Sequence, residues 1–224
     1  HSSNIDLIFG VPGLSNRLWE ESIDVALNSG IKHLSAYSLT MEPNTLFAHQ
    51  VKKGISKPLD EGLAKEQFTF LGNRIENEGW EHYEISNYCL PGFRALHNSQ
   101  YWTRVPYLGI GPSAHSFDGK VRRWNIASNH NYLKKIDSNE KFWEEEVLTR
   151  TDRINEHIML GLRVKEGIDC QRLKHEEQFD VLSDNPNQLN HYLQIGWLIN
   201  ENNRLLLSKE GWHYADRIAS DLFV

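Results

Sequence analysis

The 224-residue chain contains only two cysteines, Cys89 and Cys170, 81 positions apart. Neither stands in a metal-site spacing, so a disulfide framework and a cysteine-held metal are both excluded, and a reducing cytosol is the expected compartment. No apolar run approaches the ~20 residues that cross a bilayer, so stable membrane insertion is not expected. A surplus of basic charge is missing as well. The net charge is −6, and residues 144–224 hold 9 basic against 15 acidic side chains while residues 1–143 hold 15 of each. Phosphate binding relies on Lys and Arg to displace counterions, so nucleic acid is not an expected partner of the C-terminal part. The start, HSSNIDLIFG, has neither an initiator methionine nor a signal-peptide pattern and enters an apolar run at once, so it reads as a piece of a longer protein.

What is present suits a globular α/β chain: 39% hydrophobic residues, 24% charged residues and seven tryptophans, in a length that allows one large domain or two smaller ones. Ile5–Phe9 is a nearly continuous apolar run, interrupted by Asp6 and closed by the turn GVPG, which predicts a buried parallel strand. Trp19, Ile23, Ala26 and Leu27 then recur at helical spacing between a cap at Ser15 or Asn16 and a stop at Gly30. IKHLSAYSL reads as a second strand, giving a βα repeat that needs a parallel sheet. A longer helix from about Asp60 carries Ala64, Phe68, Leu71 and Ile75 on one face and stops at Gly79, and WEHYEISNY reads as a third strand. YLGIGPSAHSF and VRRWNI follow as short extended pieces among glycine turns.

The character changes near residue 144, where a domain boundary is expected. Thr149 and Asp152 have capping-box spacing ahead of a helix with Ile154, Ile158 and Leu162. A helix with Leu189 and Leu193 ends at Gly196, WLI and RLLLS flank NENN as a hairpin, and a last helix carries Trp212, Ala215, Ile218 and Leu222. Helices followed by a hairpin outline a winged-helix-like α+β module, whose acidity speaks against a DNA-binding regulator.

One segment stands apart. In RALHNSQYW, residues 94–102, a helix would place His97 and Tyr101 on one face and Asn98 and Trp102 on the adjoining one, a ligating nitrogen beside an aromatic wall. In their order along the chain, NIDLIFGVPG, HLSAYSLTMEPNT, YEISNY, HNSQYW, YLGIGPSAHSF and RRWN resemble the family of oxygen-independent coproporphyrinogen III oxidase-like radical S-adenosylmethionine (SAM) proteins. The resemblance covers most of the chain, including the ending LLLSKEGWHYADRIASDL, and the HN-x-x-YW cluster resembles the heme-chaperone (HemW-like) branch. It implies residues 1–143 as the C-terminal portion of a partial (β/α)6 radical SAM barrel and residues 144–224 as the winged-helix-like domain that follows it.

The resemblance also implies cofactors and residues. The family's C-x-x-x-C-x-x-C motif for a [4Fe-4S] cluster and its glycine-rich SAM segment are absent and would lie upstream of His1. Asp6 matches the family aspartate that binds the SAM ribose, and Thr40 a position lining the same pocket. His97 matches a heme-iron ligand, with Tyr101 and Trp102 covering the porphyrin and His115 as second choice. Arg122 and Arg123 could pair with heme propionates, or simply form a solvated hairpin pair. Gly109 and Gly111 could let backbone approach a cofactor, though G-x-G-P is more often a turn. Two functions follow: heme binding and delivery to an acceptor protein, or oxidative decarboxylation of coproporphyrinogen III. The first is favoured by HN-x-x-YW. An open strand edge near Ile5–Phe9 would also invite self-association.

Three thiolates hold a four-iron cluster with one iron left open, and two distant cysteines cannot replace them. This 224-residue chain, reconstituted anaerobically with iron and sulfide, is therefore expected to form no four-iron cluster and to be inactive in reductive SAM cleavage; cluster absorbance in stoichiometric amount would contradict this.

Overall fold

The computed structural model describes residues 3–184 and 186–224. They form two compact units, one ending at Ala95 and the other spanning Leu96–Val224. Among the described residues no helix is long and apolar enough to cross a membrane.

The first unit runs β1 (Asn4–Phe9), α1 (Asn16–Asn28), β2 (His33–Ser38), α2 (Leu46–Lys52), α3 (Glu61–Asn77), β3 (Glu81–Glu84) and β4 (Asn87–Cys89). Its sheet has the order β1-β2-β4-β3. β1 and β2 are parallel, from Asn4 opposite His33 to Phe9 opposite Ser38, and α1 makes the crossover. Ser15 is the residue that caps α1, its hydroxyl accepting from Leu18 N at 3.3 Å, and the stripe Trp19, Ile23 and Ala26 is buried. α3 is capped by Asp60 and buries Gln67, Leu71 and Ile75. These helices cover one sheet face, so that Phe9, Trp19, Ile23, Leu34, Leu71, Ile75 and Tyr88 share a core.

Two expectations need correction here. The run WEHYEISNY is not one strand but the hairpin β3–β4, and β4 is antiparallel to β2, so strict βα alternation stops at β2. The cause is a turn at residues 85–86: the buried Glu84 carboxylate accepts from Ser86 N at 3.1 Å and from the Asn87 side chain, which bends the chain between two segments of strand-like composition. β1 is also less buried than its apolar run predicts. Among the described residues it pairs with β2 alone, and its side chains alternate, with Asn4, Asp6 and Ile8 exposed and Phe9 buried.

The loop after β1 is held from α3. Gln67 Oε1 accepts from Gly10 N at 2.8 Å, and its Nε2 donates to Leu14 O at 3.1 Å. Trp19 Nε1 donates to the Gln67 carbonyl at 2.9 Å. Buried polar groups are costly unless paired, so these bonds fix GVPG against α3.

The second unit opens with α4 (Leu96–Trp102) and the antiparallel sheet of β5 (His115–Phe117), β6 (Val121–Asn125) and β7 (Trp143–Val147), with α5 (Asn129–Asp137) between β6 and β7. α6 (Arg150–Leu162) follows, its N-terminus closed by the expected capping box of Thr149 and Asp152. Then come β8 (Ile168–Asp169), α7 (Cys170–Glu177), α8 (Val181–Asp184), α9 (Pro186–Gln194), β9 (Leu198–Glu201), β10 (Arg204–Leu207), a 3-10 turn at Gly211–Tyr214 and α10 (Ala215–Asp221). β8, β10 and β9 form a second antiparallel sheet. NENN is tighter than a four-residue loop: Asn202 and Asn203, with φ of 53° and 61°, make a two-residue turn, and Asn200 and Glu201 belong to β9. Two successive positive φ values twist the hairpin with its strands, and Asn tolerates them well. Trp212 lies in the 3-10 turn, ahead of the last helix. The division expected at 143/144 falls inside β7, which completes the β5-β6-β7 sheet.

Candidate functional site

The segment singled out in the sequence is helical over Leu96–Trp102 and carries an exposed imidazole. Tyr101 lies one turn after His97, its Oη 3.1 Å from His97 Nε2, with the rings edge to face at 5.1 Å and 87°. Tyr101 in turn packs on Tyr107 at 4.9 Å. Tyr107 exchanges backbone hydrogen bonds with Phe117 of β5, at 2.8 and 2.9 Å. An aromatic chain thus leads from His97 to the sheet. Trp102 meets a different partner: the guanidinium of Arg163, the residue just after α6, lies 5.6 Å from its ring centroid, and its buried Nε1 has no hydrogen-bond partner among the described residues. His115, the second histidine of interest, is exposed and faces Trp124 across 6.4 Å.

The two arginines already have carboxylate partners. In the β6–β7 register Arg122 faces Glu146 and Arg123 faces Glu145, with side-chain pairs at 3.3 and 2.7 Å. Arg122 also bonds Glu156 of α6, whose other oxygen is 3.5 Å from Arg104 Nη2. Arg104 and Glu156 expose only 10% and 12% of their side chains. Arg104 has a φ of 59°, and its Nε is unpaired among the described residues. Burial pushes its guanidinium below the ordinary value. The neighbouring His157 imidazole is also pushed down, by burial and then by Arg104. It is 3.1 Å from Glu176, within ion-pair distance, but without a directed hydrogen bond at Nε2.

Beside Arg123 lies a cleft of about 310 Å³, lined by Leu108, Gly109, Ile110, Ser116, Asn125, Tyr132, Phe142 and Trp143 as well; His97 is not part of its lining. Gly109 is needed for a reason internal to the fold, since a Cβ there would stand 2.1 Å from the His115 carbonyl oxygen. Gly111 has a φ of 107°, open to glycine and strained for other residues.

In the first unit the carboxylate of Asp6 is exposed on the edge strand, where burial had been expected. It accepts from Asn4 Nδ2 at 2.5 Å. Thr40 is exposed two residues past the end of β2. Beside Asp6 the sequence reading missed a polar group made of Asn4, His33 and Tyr83. His33 Nδ1 lies 2.6 Å from Asn4 Oδ1, and its Nε2 lies 2.7 Å from Tyr83 Oη. A histidine inside an otherwise apolar strand was the available signal.

An exposed carboxylate is a chemically suitable acceptor for sugar hydroxyls, so Asp6 fits a nucleoside ribose; an exposed imidazole fits heme iron. The cysteines do not fit a cluster. Both are buried, and burial pushes the Cys170 thiol up to about 11, away from the thiolate that iron requires. Among the described residues no three His, Cys, Asp or Glu side chains are placed to hold a metal ion.

Residues 148–214 match the HemN C-terminal domain family. The chain is similar to the heme chaperone HemW of Mycobacterium tuberculosis (strain ATCC 25618 / H37Rv), with 30% identity over 223 residues, 98% of this chain and 54% of that protein. It is 28% identical to the heme chaperone HemW of Lactococcus lactis subsp. lactis over 214 residues, 96% of this chain and 56% of that protein. Radical S-adenosyl methionine domain-containing protein 1, mitochondrial, of Danio rerio is 30% identical over 178 residues, 75% of this chain and 40% of that protein. The chain spans about half the length of the HemW relatives it matches. Among solved structures, coproporphyrinogen III oxidase (HemN) from Escherichia coli, a radical SAM enzyme, aligns with a TM-score of 0.76 over 100% of this chain and 55% of that one, at 18% identity. At that identity the likeness is one of fold.

Within the second unit, Glu156 ties together the segment after α4, β6 and its own helix. Removing it would take from Arg104 its ion-pair partner and leave only the more distant charges of Glu176 and Glu177, so Glu156→Ala should cost about 2 kcal/mol of stability in urea unfolding. Glu145→Ala breaks only exposed pairs and should leave the unfolding midpoint nearly unchanged.

Proposed function

The chain belongs to the oxygen-independent coproporphyrinogen III oxidase-like family, on its HemW-like branch and in the C-terminal portion of such proteins, and from that premise we propose that the intact protein binds heme and passes it to an acceptor protein, with His97 as the iron ligand. The observation that carries this reading is the exposed His97 imidazole, held at its Nε2 by the Tyr101 hydroxyl. The Tyr101 hydroxyl fixes the ring while no iron is bound. The same hydroxyl competes with iron for Nε2. A hydrogen bond of about 1 kcal/mol is a small barrier to iron and a small help to its release, which suits a protein that must hand its cargo on.

Tyr101 and Trp102 are proposed to flank the porphyrin. Tyr101 stands with His97, while Trp102 would have to act from its place under Arg163. Of the two arginines, Arg123 is the better propionate partner. It is half exposed and its carboxylate partner Glu145 lies at the surface, with the Trp143 ring 5.6 Å away, whereas Arg122 shares the buried Glu156. A propionate would replace a carboxylate already in place, so the net gain in affinity is modest. His115 remains the reserve ligand.

Asp6 is proposed to hold the ribose of SAM, and Thr40, two residues past the end of β2, to line the same pocket. SAM and a [4Fe-4S] cluster supply radical chemistry in this family when both are bound, and the cluster's thiolates must come from outside this chain. Residues 1–143 are proposed as the closing part of a partial (β/α)6 barrel and residues 144–224 as the appended module. The order α6-β8-α7-α8-α9-β9-β10 supports a winged-helix-like reading of that module. Its acidity supports a protein-facing role over a nucleic-acid one. A cytoplasmic location fits two buried free thiols. The names of the curated HemW relatives favour heme delivery over coproporphyrinogen decarboxylation.

In the intact protein, His97→Ala should shift or abolish the Soret band of bound heme and weaken binding at least tenfold, about 1.4 kcal/mol. Tyr101→Phe should keep the ligation spectrum and tighten binding by about fivefold, because it removes the competitor for Nε2. Equal heme spectra and affinities for the wild type and His97→Ala would refute the assignment. Conversion of coproporphyrinogen III by the wild type under reducing, SAM-replete conditions would favour the decarboxylase instead.

A further inference from the structure

The hydrogens of the polar group beside Asp6 follow from its acceptors and from the burial of His33. An ionised carboxylate can only accept, so Asn4 must turn its amide nitrogen to Asp6 Oδ1, at 2.5 Å. The same nitrogen reaches Ser35 Oγ at 2.9 Å. The amide oxygen of Asn4 therefore faces His33 Nδ1, at 2.6 Å. Two acceptors would repel there, so Nδ1 carries a proton. At the other ring nitrogen, Tyr83 Oη is 2.7 Å from Nε2 and itself accepts from Ala95 N at 3.3 Å. A neutral ring protonated at Nδ1 can only accept at Nε2, so the Tyr83 hydroxyl donates there. The bonds run in a single direction: Ala95 N–H to Tyr83, Tyr83 to His33, His33 to Asn4, Asn4 to Asp6. His33 is 4% exposed, and burial lowers its affinity for a second proton, in keeping with a neutral ring that accepts at Nε2.

We infer that His33 is a positioning residue for Asp6: anchored by Tyr83, it fixes the Asn4 amide, and the amide fixes the carboxylate that accepts the ribose hydroxyls of SAM. This rests on the ribose assignment of Asp6 made above. The geometry bears on that role because Asn4 is the hydrogen-bond partner of Asp6 among the described residues. One carboxylate oxygen is tied down by Asn4. Oδ2 has no partner among the described residues and is left for a ligand hydroxyl.

The test measures binding of S-adenosylhomocysteine to the intact protein by calorimetry, together with the imidazole nitrogen shifts of His33 by NMR in the absence of ligand. Asp6→Ala should weaken binding at least tenfold, and Asn4→Ala and His33→Phe by about threefold to tenfold each. His33→Asn places an amide N–H close to where Nδ1–H stood and should recover affinity to within about twofold of the wild type. The NMR shifts should show the proton on Nδ1 at neutral pH. Unchanged binding in Asp6→Ala would overturn the ribose assignment and this inference with it. Weakened binding in Asp6→Ala with full affinity in Asn4→Ala and His33→Phe would overturn the inference alone, as would a proton on Nε2. If His33→Phe does not fold, Asn4→Ala and the tautomer decide the matter.

Discussion

A helix of seven residues does not hold itself together in water, and the functional reading depends on what holds α4. The hold comes from outside the helix. Tyr101 leans on Tyr107, and Tyr107 is bound to Phe117 through two backbone hydrogen bonds. Just beyond the helix, Arg104 takes a left-handed conformation and buries its guanidinium beside Glu156. The exposed imidazole of His97 can therefore have a defined direction although nothing covers it. Its orientation is set by the Tyr101 hydroxyl, and Tyr101 is in turn placed by Tyr107.

Glu156 has a second consequence. Because it is shared by Arg104 and Arg122, the segment after α4, β6 and α6 meet at one carboxylate. Burying charge is expensive, and two guanidiniums around one carboxylate recover part of that cost only in a narrow set of geometries. The same logic operates independently in the first unit, where Tyr83, His33 and Asn4 leave the Asp6 carboxylate with a set direction on an otherwise exposed strand. In both units a side-chain hydrogen bond sets the direction of an exposed functional group.

Much of this was legible in the residue pattern. The stripes of α1, α3 and α6, the Thr149–Asp152 capping box and the i,i+4 pairing of His97 with Tyr101 follow from helical periodicity, and each is present. What was missed depends on contacts between distant segments or on turns hidden in strand-like composition. WEHYEISNY alternates well enough to be one strand, and only the bonding of Glu84 to Ser86 and Asn87 makes it two. Asp6 was expected to be buried because its run is apolar, but burial depends on how many strands flank it. The pairing of the two arginines with Glu145 and Glu146 could have been suspected from RRW and EEE standing within reach of each other as strands. The link from Arg104 to Glu156 joins residues 52 positions apart and leaves no local trace.

The central claim, that His97 supplies the nitrogen that binds heme iron, is tested most directly by chemical rescue. In the intact protein His97→Gly removes the imidazole and leaves space for a free one. The account predicts that this variant loses the wild-type Soret spectrum and that millimolar imidazole restores both the spectrum and most of the affinity, with no such effect on the wild type. A His97→Gly protein whose heme spectrum equals that of the wild type before imidazole is added would contradict it.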